Sequence, residues 1–262
     1  LRPLADRWMQ LDLHHPPDPL YEALGRPGAC IHLAWSGLDN YRSLHHFERE
    51  LPGQYRFLST LIREGLPALV VSGTCLEYGM KTGELNEEME TAPATAYGFA
   101  KDALRRQLQF LRGQTPYALT WGRLFYVFGE GQSSRSLWPQ LRQAVARGDA
   151  RFPMSGGLQV RDYLPIETVA DHLVSLAQQA KDVGTVNICS GQPVTVRELV
   201  TTWISANGWS IEPEYGRFPY PDYEPMAFWG NAAKLAAWTA AAQQPACPTE
   251  PAARMRPRAT PC

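Results

Sequence analysis

Lysine is scarce in this chain of 262 residues, with only Lys81, Lys101, Lys181 and Lys234, and no basic run occurs. At a net charge of −1 the chain lacks the electrostatic footprint needed to bind nucleic acid or an anionic membrane surface. No apolar stretch approaches the ~20 residues that span a bilayer, and the start does not follow a signal-peptide pattern. A cytoplasmic location with no membrane partner is therefore expected. The five cysteines (30, 75, 189, 247 and 262) are odd in number and include no Cys-x-x-Cys, which suits reduced thiols rather than a disulfide framework. Neighbouring histidines in His14-His15 and His45-His46 point apart on a strand or helix, and no third ligand shares their spacing, so no metal site is expected.

What is present is the composition of an ordinary globular chain, 44% hydrophobic and 19% charged, enough to bury a core as one domain or one domain with a smaller lobe. Strand patterns fall at Trp8–Leu13, Ala29–Ala34, Ala68–Ser72, Tyr117–Trp121 with Leu124–Phe128, and Thr185–Ile188. Helical patterns lie between them, at Tyr41–Glu64, Thr95–Arg112, Ser136–Arg147, Ile166–Ala180 and Val196–Asn207. The alternation predicts a parallel α/β sheet. Beyond Phe128 the segments are mixed, with short strands at Phe152–Met154 and Val160–Tyr163, a Pro- and Tyr-rich Tyr215–Trp229, and a short helix from Asn231. Tyr215, Tyr220, Tyr223, Phe228 and Trp229 there are read as loop packing in preference to a stacking surface.

Chemistry concentrates in Val71-Ser72-Gly73-Thr74-Cys75-Leu76-Glu77-Tyr78-Gly79, at a strand end, and Thr95-Ala96-Tyr97-Gly98-Phe99-Ala100-Lys101, at a helix start capped by Thr95. Residues four apart share a helix face, so Lys101 keeps an ammonium near the Tyr97 phenol. A phenol titrates near ~10 and needs such a charge to exchange protons at neutral pH. Thr74 can hold a substrate oxygen while Tyr97 takes or returns its proton. Chance alone would supply roughly 0.17 Tyr-x-x-x-Lys matches in this composition. Cys75 adjoins this site and reads as a small packing residue, since no cation stands beside it to activate the thiol.

These residues resemble the extended short-chain dehydrogenase/reductase family, the nucleotide-sugar epimerases, dehydratases and ketoreductases, through most of the chain. The resemblance implies a Rossmann-like doubly wound parallel sheet with a small mixed α/β substrate lobe. It divides the chain into a partial dinucleotide-binding domain (1–150) and a mainly substrate-binding lobe (151–235), while the lost apolar period and the prolines of 236–262 read as a disordered tail. It makes Thr74, Tyr97 and Lys101 catalytic. It assigns NAD or NADP to Asp12, Leu13, Ala34, Tyr97, Lys101 and Phe125, with the Asp12 carboxylate on the adenine amine, and the nucleotide sugar to Thr74, Cys75, Tyr126 and Arg161, with Arg161 on the pyrophosphate. A homodimer through the helices at Tyr41–Glu64 and Thr95–Arg112 is also implied.

Departures refine the expectation. Dehydrating relatives carry Asp-Glu after the active-site Thr, where this chain has Cys75 and Leu76, which argues against 4,6-dehydration. Tyr126 replaces the Asn of many epimerases, so the substrate phosphate is expected to be held differently. Glu50 stands near the place of a central-helix Asn. No Gly-x-Gly-x-x-Gly or Gly-x-x-Gly-x-x-Gly occurs, and Trp8–Leu13 reads as the family's third strand. A first βαβ portion of about 40–50 residues is thus expected to be missing, and with it the pyrophosphate cradle and the residue that separates NAD from NADP. The expected activity is NAD(P)-dependent ketoreduction or dehydrogenation at C4 of a nucleotide-activated 6-deoxyhexose, with epimerisation second. The alternative is a truncated, non-catalytic chain that only binds nucleotide sugar or a partner subunit, which measurable turnover would refute.

Overall fold

The computed structural model describes residues 5–243. In chain order these form α1 (Leu20–Ala23), β1 (Cys30–His32), α2 (Leu51–Arg63), β2 (Ala68–Thr74), β3 (Gly83–Leu85), α3 (Ala96–Arg112), β4 (Ala118–Leu124) and β5 (Tyr126–Phe128). There follow α4 (Leu137–Arg147), β6 (Arg151–Pro153), β7 (Val160–Pro165), α5 (Ile166–Gln178), β8 (Gly184–Ile188), β9 (Pro193–Thr195), α6 (Val196–Ala206), β10 (Glu212–Glu214), β11 (Phe228–Gly230) and α7 (Ala233–Gln243).

The central sheet is all parallel, in the order β1-β2-β4-β8. Every residue of β2 is buried, as expected of a parallel strand covered on both faces. Strand alternation sends Leu69 and Val71 to one side, where they meet Leu58 and Leu61 of α2 and Leu104 and Leu108 of α3. It sends Val70 to the other side, among Val169, Leu173 and Leu176 of α5 and Leu235 of α7. Each fully buried leucine contributes about 1.5–3 kcal/mol relative to exposure, so these two faces carry most of the packing. The smaller sheets are β5-β7-β9, β10-β6 and β11-β3, and β5 follows β4 after one residue.

Three expectations are corrected. Trp8–Leu13 is not a strand: Asp12 instead builds a turn, its carboxylate accepting from His14 N at 2.9 Å and its carbonyl from His15 N at 3.1 Å, while Leu11 and Leu13 pack on the first core face. An Asx turn of this kind competes directly with a strand ladder. The helix expected from Tyr41 starts at a π-helical turn, His46–Glu50, ahead of α2. Pro52 has no N–H to give the carbonyl four residues back, which accounts for the wider turn. The tail expected to be disordered from residue 236 continues α7 to Gln243, because alanine is the best helix former and Leu235 and Trp238 anchor the helix on the second core face; residues 244–262 lie outside the described residues.

The turn after the active-site strand depends on Gly79, at φ +71° and ψ −138°, a region essentially reserved for glycine. A Cβ there would lie 1.8 Å from the Ala92 carbonyl oxygen. Gly79→Ala is expected to lower unfolding stability by at least about 2 kcal/mol, measured by urea denaturation, whereas Gly131→Ala, at φ +81° in open space, should cost about 1 kcal/mol. Equal losses would contradict the close approach.

Candidate active site

β2 ends at Thr74 and passes into a single 3-10 turn, Cys75–Tyr78. Thr74 Oγ1 accepts from Leu76 N at 3.3 Å, and the Glu77 carboxylate accepts from Thr74 N at 2.9 Å, a reciprocal cap that fixes the Thr74 backbone. Glu77 is fully buried. Its Oε1 also accepts from Trp121 Nε1 at 2.9 Å and its Oε2 from Arg123 Nε at 2.8 Å, both on β4, while Arg105 Nε of α3 stands 3.8 Å away. Three donors and two cations thus surround one desolvated carboxylate.

α3 begins against that turn. Thr95 Oγ1 accepts from Gly98 N at 3.0 Å as the expected cap, and a side chain at Gly98 would meet the Leu76 carbonyl at 2.7 Å. The first helical turn therefore delivers Tyr97 beside Thr74. Its ring stacks on Tyr41 at 5.1 Å and contacts His46 at 5.2 Å and Trp35 at 6.0 Å. Burial raises the Tyr97 phenol above its ordinary value, Tyr41, Glu77 and Cys75 add to the rise, and the Thr74 hydroxyl opposes it. The phenol is held protonated.

Lys101, one turn later, is 1% exposed; its Nζ donates to the Ser72 carbonyl at 2.8 Å and lies 4.2 Å from the Trp35 ring and 6.0 Å from that of Tyr97. Burial lowers this ammonium to about 7, against the attraction of Glu77 and Glu50.

Thr74, Cys75, Tyr97, Phe125, Tyr126 and Arg161 line one cavity of about 980 Å³, with Lys101 beneath rather than in its wall. Phe125 is buried between Tyr78 and Phe228. Cys75 is buried, and burial pushes its thiol up, as a packing residue requires. Arg161, 3% exposed, makes four hydrogen bonds within the protein: Nε donates to Tyr126 Oη at 3.2 Å, Nη1 to the carbonyls of Val160 and Met226 at 2.8 and 3.2 Å, and Nη2 to Glu224 Oε2 at 2.9 Å. Asp12, Leu13 and Ala34 do not line this cavity; the Asp12 carboxylate is taken up by His14 and His15, Leu13 packs in the core, and exposed Ala34 follows β1. The aromatic residues of Tyr215–Trp229 separate as packing groups, Tyr215 over Arg197, Tyr220 beside Leu158 and Tyr223 edge-on to Tyr41.

The residues that a dinucleotide would meet are compatible with it at the nicotinamide end. Lys101 and Tyr97 supply donors there. At the end of β1 the buried ring nitrogens of His32 and the Gln54 Oε1 have no hydrogen-bond partner among the described residues. Burial lowers His32 to about 4, with the Lys101 charge adding to the effect, so a neutral imidazole is available to a polar ligand.

Trp35, Tyr41, Glu77 and Glu224 complete the site without having been singled out from sequence. Glu77 had a signal, the Thr-x-x-Glu spacing of a reciprocal cap; the other three come from loops whose approach no periodicity encodes. Glu77→Ala is expected to cost about 3–5 kcal/mol by leaving Arg123 charged and unpaired, and Glu77→Ala with Arg123→Met should recover part of it. Urea midpoints check this, and a double variant no more stable than the single would contradict the pairing.

Comparison with known proteins places this geometry in a family. Over 205 residues the chain is 29% identical to the dTDP-6-deoxy-L-talose 4-dehydrogenase (NAD(+)) of Aggregatibacter actinomycetemcomitans, covering 76% of this chain and 74% of that enzyme. It is 29% identical over 181 residues to UDP-arabinose 4-epimerase 1 of Arabidopsis thaliana, covering 60% of this chain and 43% of that protein, so it spans less than half the length of this plant relative. Among solved structures, RMD from Pseudomonas aeruginosa complexed with NADPH superposes with a TM-score of 0.76 at 21% identity, covering 88% of this chain and 81% of the other. The UDP-glucuronic acid 4-epimerase of Bacillus cereus, in complex with UDP-glucuronic acid and NAD, gives 0.75 at 18% identity, covering 90% and 77%. These two likenesses establish a shared Rossmann-like fold. Residues 3–189 match the profile described as the NAD dependent epimerase/dehydratase family, and the chain belongs to that family of NAD(P)-dependent enzymes that act on nucleotide sugars.

Proposed function

We propose that the chain is a 4-ketoreductase or dehydrogenase for a nucleotide-activated 6-deoxyhexose. The observation that carries this reading is that Thr74 and a protonated Tyr97 line one cavity, with the buried Lys101 ammonium 6.0 Å from the Tyr97 ring. Reduction of a C4 carbonyl needs a proton delivered to its oxygen. Thr74 holds that oxygen, Tyr97 gives the proton, and the Lys101 charge stabilises the phenolate left behind. NAD(P), when bound, supplies or accepts the hydride; Tyr97, Lys101, Phe125, Asp12, Leu13 and Ala34 are the residues proposed to hold it. The 4-dehydrogenase relative supports the position and the 6-deoxy sugar.

The sugar is placed against Thr74, Cys75, Tyr126 and Arg161. Farther along the cavity, Trp138 and Trp203, with ring centroids 5.0 Å apart, and Phe128, 5.1 Å from Trp203, make an aromatic wall suited to the nucleotide base. A cofactor-binding part (1–150) and a mainly substrate-binding lobe (151–235) are proposed, with Tyr126, Phe128 and Trp138 of the first reaching the sugar side and β8 of the second completing the central sheet. The unpaired thiols of Cys30, Cys75 and Cys189 suit a cytoplasmic setting, and no helix of the described residues is long and apolar enough to cross a membrane.

With a nucleotide-linked 4-ketohexose and NADPH or NADH, loss of nicotinamide absorbance is expected. Interconversion of C4 epimers without that loss would overturn the reductase reading in favour of epimerisation. Tyr97→Phe should lower kcat by about 10²–10⁴-fold. Because Lys101 sheds its proton near 7, deprotonation removes the charge that makes Tyr97 a better acid, and the reduction rate should fall as pH rises above about 7. Lys101→Met should be slow and lack that limb; an unchanged pH profile in this variant would contradict the role.

We further propose a homodimer through α2 and α3. Phe99 and Phe110 on α3 are 53% and 80% exposed, an arrangement that favours burial against a second copy. Light scattering should give twice the monomer mass, and a monomer at micromolar concentration would remove the proposal.

A further inference from the structure

Arg161, the group that the family resemblance directs at the pyrophosphate, uses four of its five N–H groups inside the protein, and its one anionic partner is Glu224. The Glu224 side chain is 8% exposed, yet the residue lines the same cavity as Thr74 and Tyr97. Its Oε2 accepts from both Arg161 and the Tyr126 hydroxyl, while its Oε1 accepts no hydrogen bond among the described residues. The segment carrying it is pinned at both ends. Asp222 pairs with Arg42 and Tyr223 sits edge-on to Tyr41 at 6.0 Å, and after it Val160 N of β7 donates to the Met226 carbonyl at 2.8 Å. The carboxylate is thus built into the wall by its neighbours.

We propose that Glu224, oriented by Arg161 and Tyr126, is a specificity-determining residue that restricts the sugar site to neutral hexoses and excludes glycuronates. The inference rests on reading the cavity as the nucleotide-sugar site. An ionised carboxylate oxygen only accepts hydrogen bonds, so Oε1 is complementary to sugar hydroxyls, which donate. A sugar carboxylate has no proton to offer and meets a like charge there, the arrangement by which binding sites reject wrong partners. The Arg161 charge is already paired with Glu224, and its role toward the sugar here is to position that carboxylate.

The test is calorimetric titration of the full chain, in the presence of NAD, with glucose and glucuronic acid each carried on UDP and on dTDP. On whichever base binds, the glucose nucleotide should bind at least about tenfold more tightly than the glucuronate. The neutral methyl ester of the same glucuronate should regain that affinity, which separates charge from size without any mutation. Glu224→Gln keeps the volume and an acceptor for Arg161, and should narrow the ratio to within about threefold by gaining on the glucuronate. Equal affinities in the unmodified chain, or an ester that binds no better than the acid, would overturn the inference. So would a ratio unchanged in a folded Glu224→Gln. Failure of the folded chain to bind any of these nucleotides would instead overturn the proposed function on which it rests.

Discussion

The buried carboxylate of Glu77 is the constraint around which the catalytic end of this fold is arranged. It holds the backbone at the end of β2, two side chains of β4 and, at longer range, Arg105 of α3. A fully desolvated charge persists only where its hydrogen bonds are complete and its counter-charges close. Here those partners come from the three elements that must agree in position for Thr74 to face Tyr97. Gly73 shows how little freedom remains, since a Cβ there would meet Trp121 Nε1 at 2.1 Å and Glu77 Oε1 at 2.7 Å. Stability and catalytic geometry are therefore coupled through one side chain that touches neither substrate nor cofactor in the proposed mechanism.

The same logic of burial tunes the two titrating groups. Desolvation raises Tyr97 and lowers Lys101, so both neutral forms are favoured relative to water. Burial keeps the phenol protonated but makes it a weaker acid, so in the proposed mechanism its donation depends on the nearby Lys101 charge. The aromatic surround of Trp35, Tyr41 and His46 supplies the low-dielectric wall, and Trp35 additionally faces the Lys101 charge at 4.2 Å. Arg161, Tyr126 and Glu224 form a second polar group in the wall of the same cavity, joined through the Glu224 Oε2.

Much of this was legible in the sequence because it is local. The continuous apolar run of β2, the Thr95 cap and the four-residue interval from Tyr97 to Lys101 each encode their own geometry. What escaped was set by neighbours. Trp8–Leu13 has strand-like residues, but Asp12 closes a turn with the following histidines. Asn40 and Ser43 close turns ahead of His46 by accepting from Arg42 N and His45 N, leaving Tyr41 outside the helix to stack on Tyr97. α7 has almost no amphipathic pattern and is held by Leu235 and Trp238. Arg161 was recognised by its motif, but its ion pair with Glu224 joins residues brought together only when β11 runs beside β7. Pairings at such separation leave no period to read.

The account's central claim is that Thr74, Tyr97 and Lys101 serve hydride exchange at C4 of a nucleotide sugar. Its most direct test is to supply nicotinamide cofactor deuterated at the transferable position together with a nucleotide-linked 4-keto-6-deoxyhexose, and to locate the label in the product by NMR. One deuterium at C4 is the predicted result. Label at another carbon, or product formed at full rate with no label in the sugar, would contradict the claim.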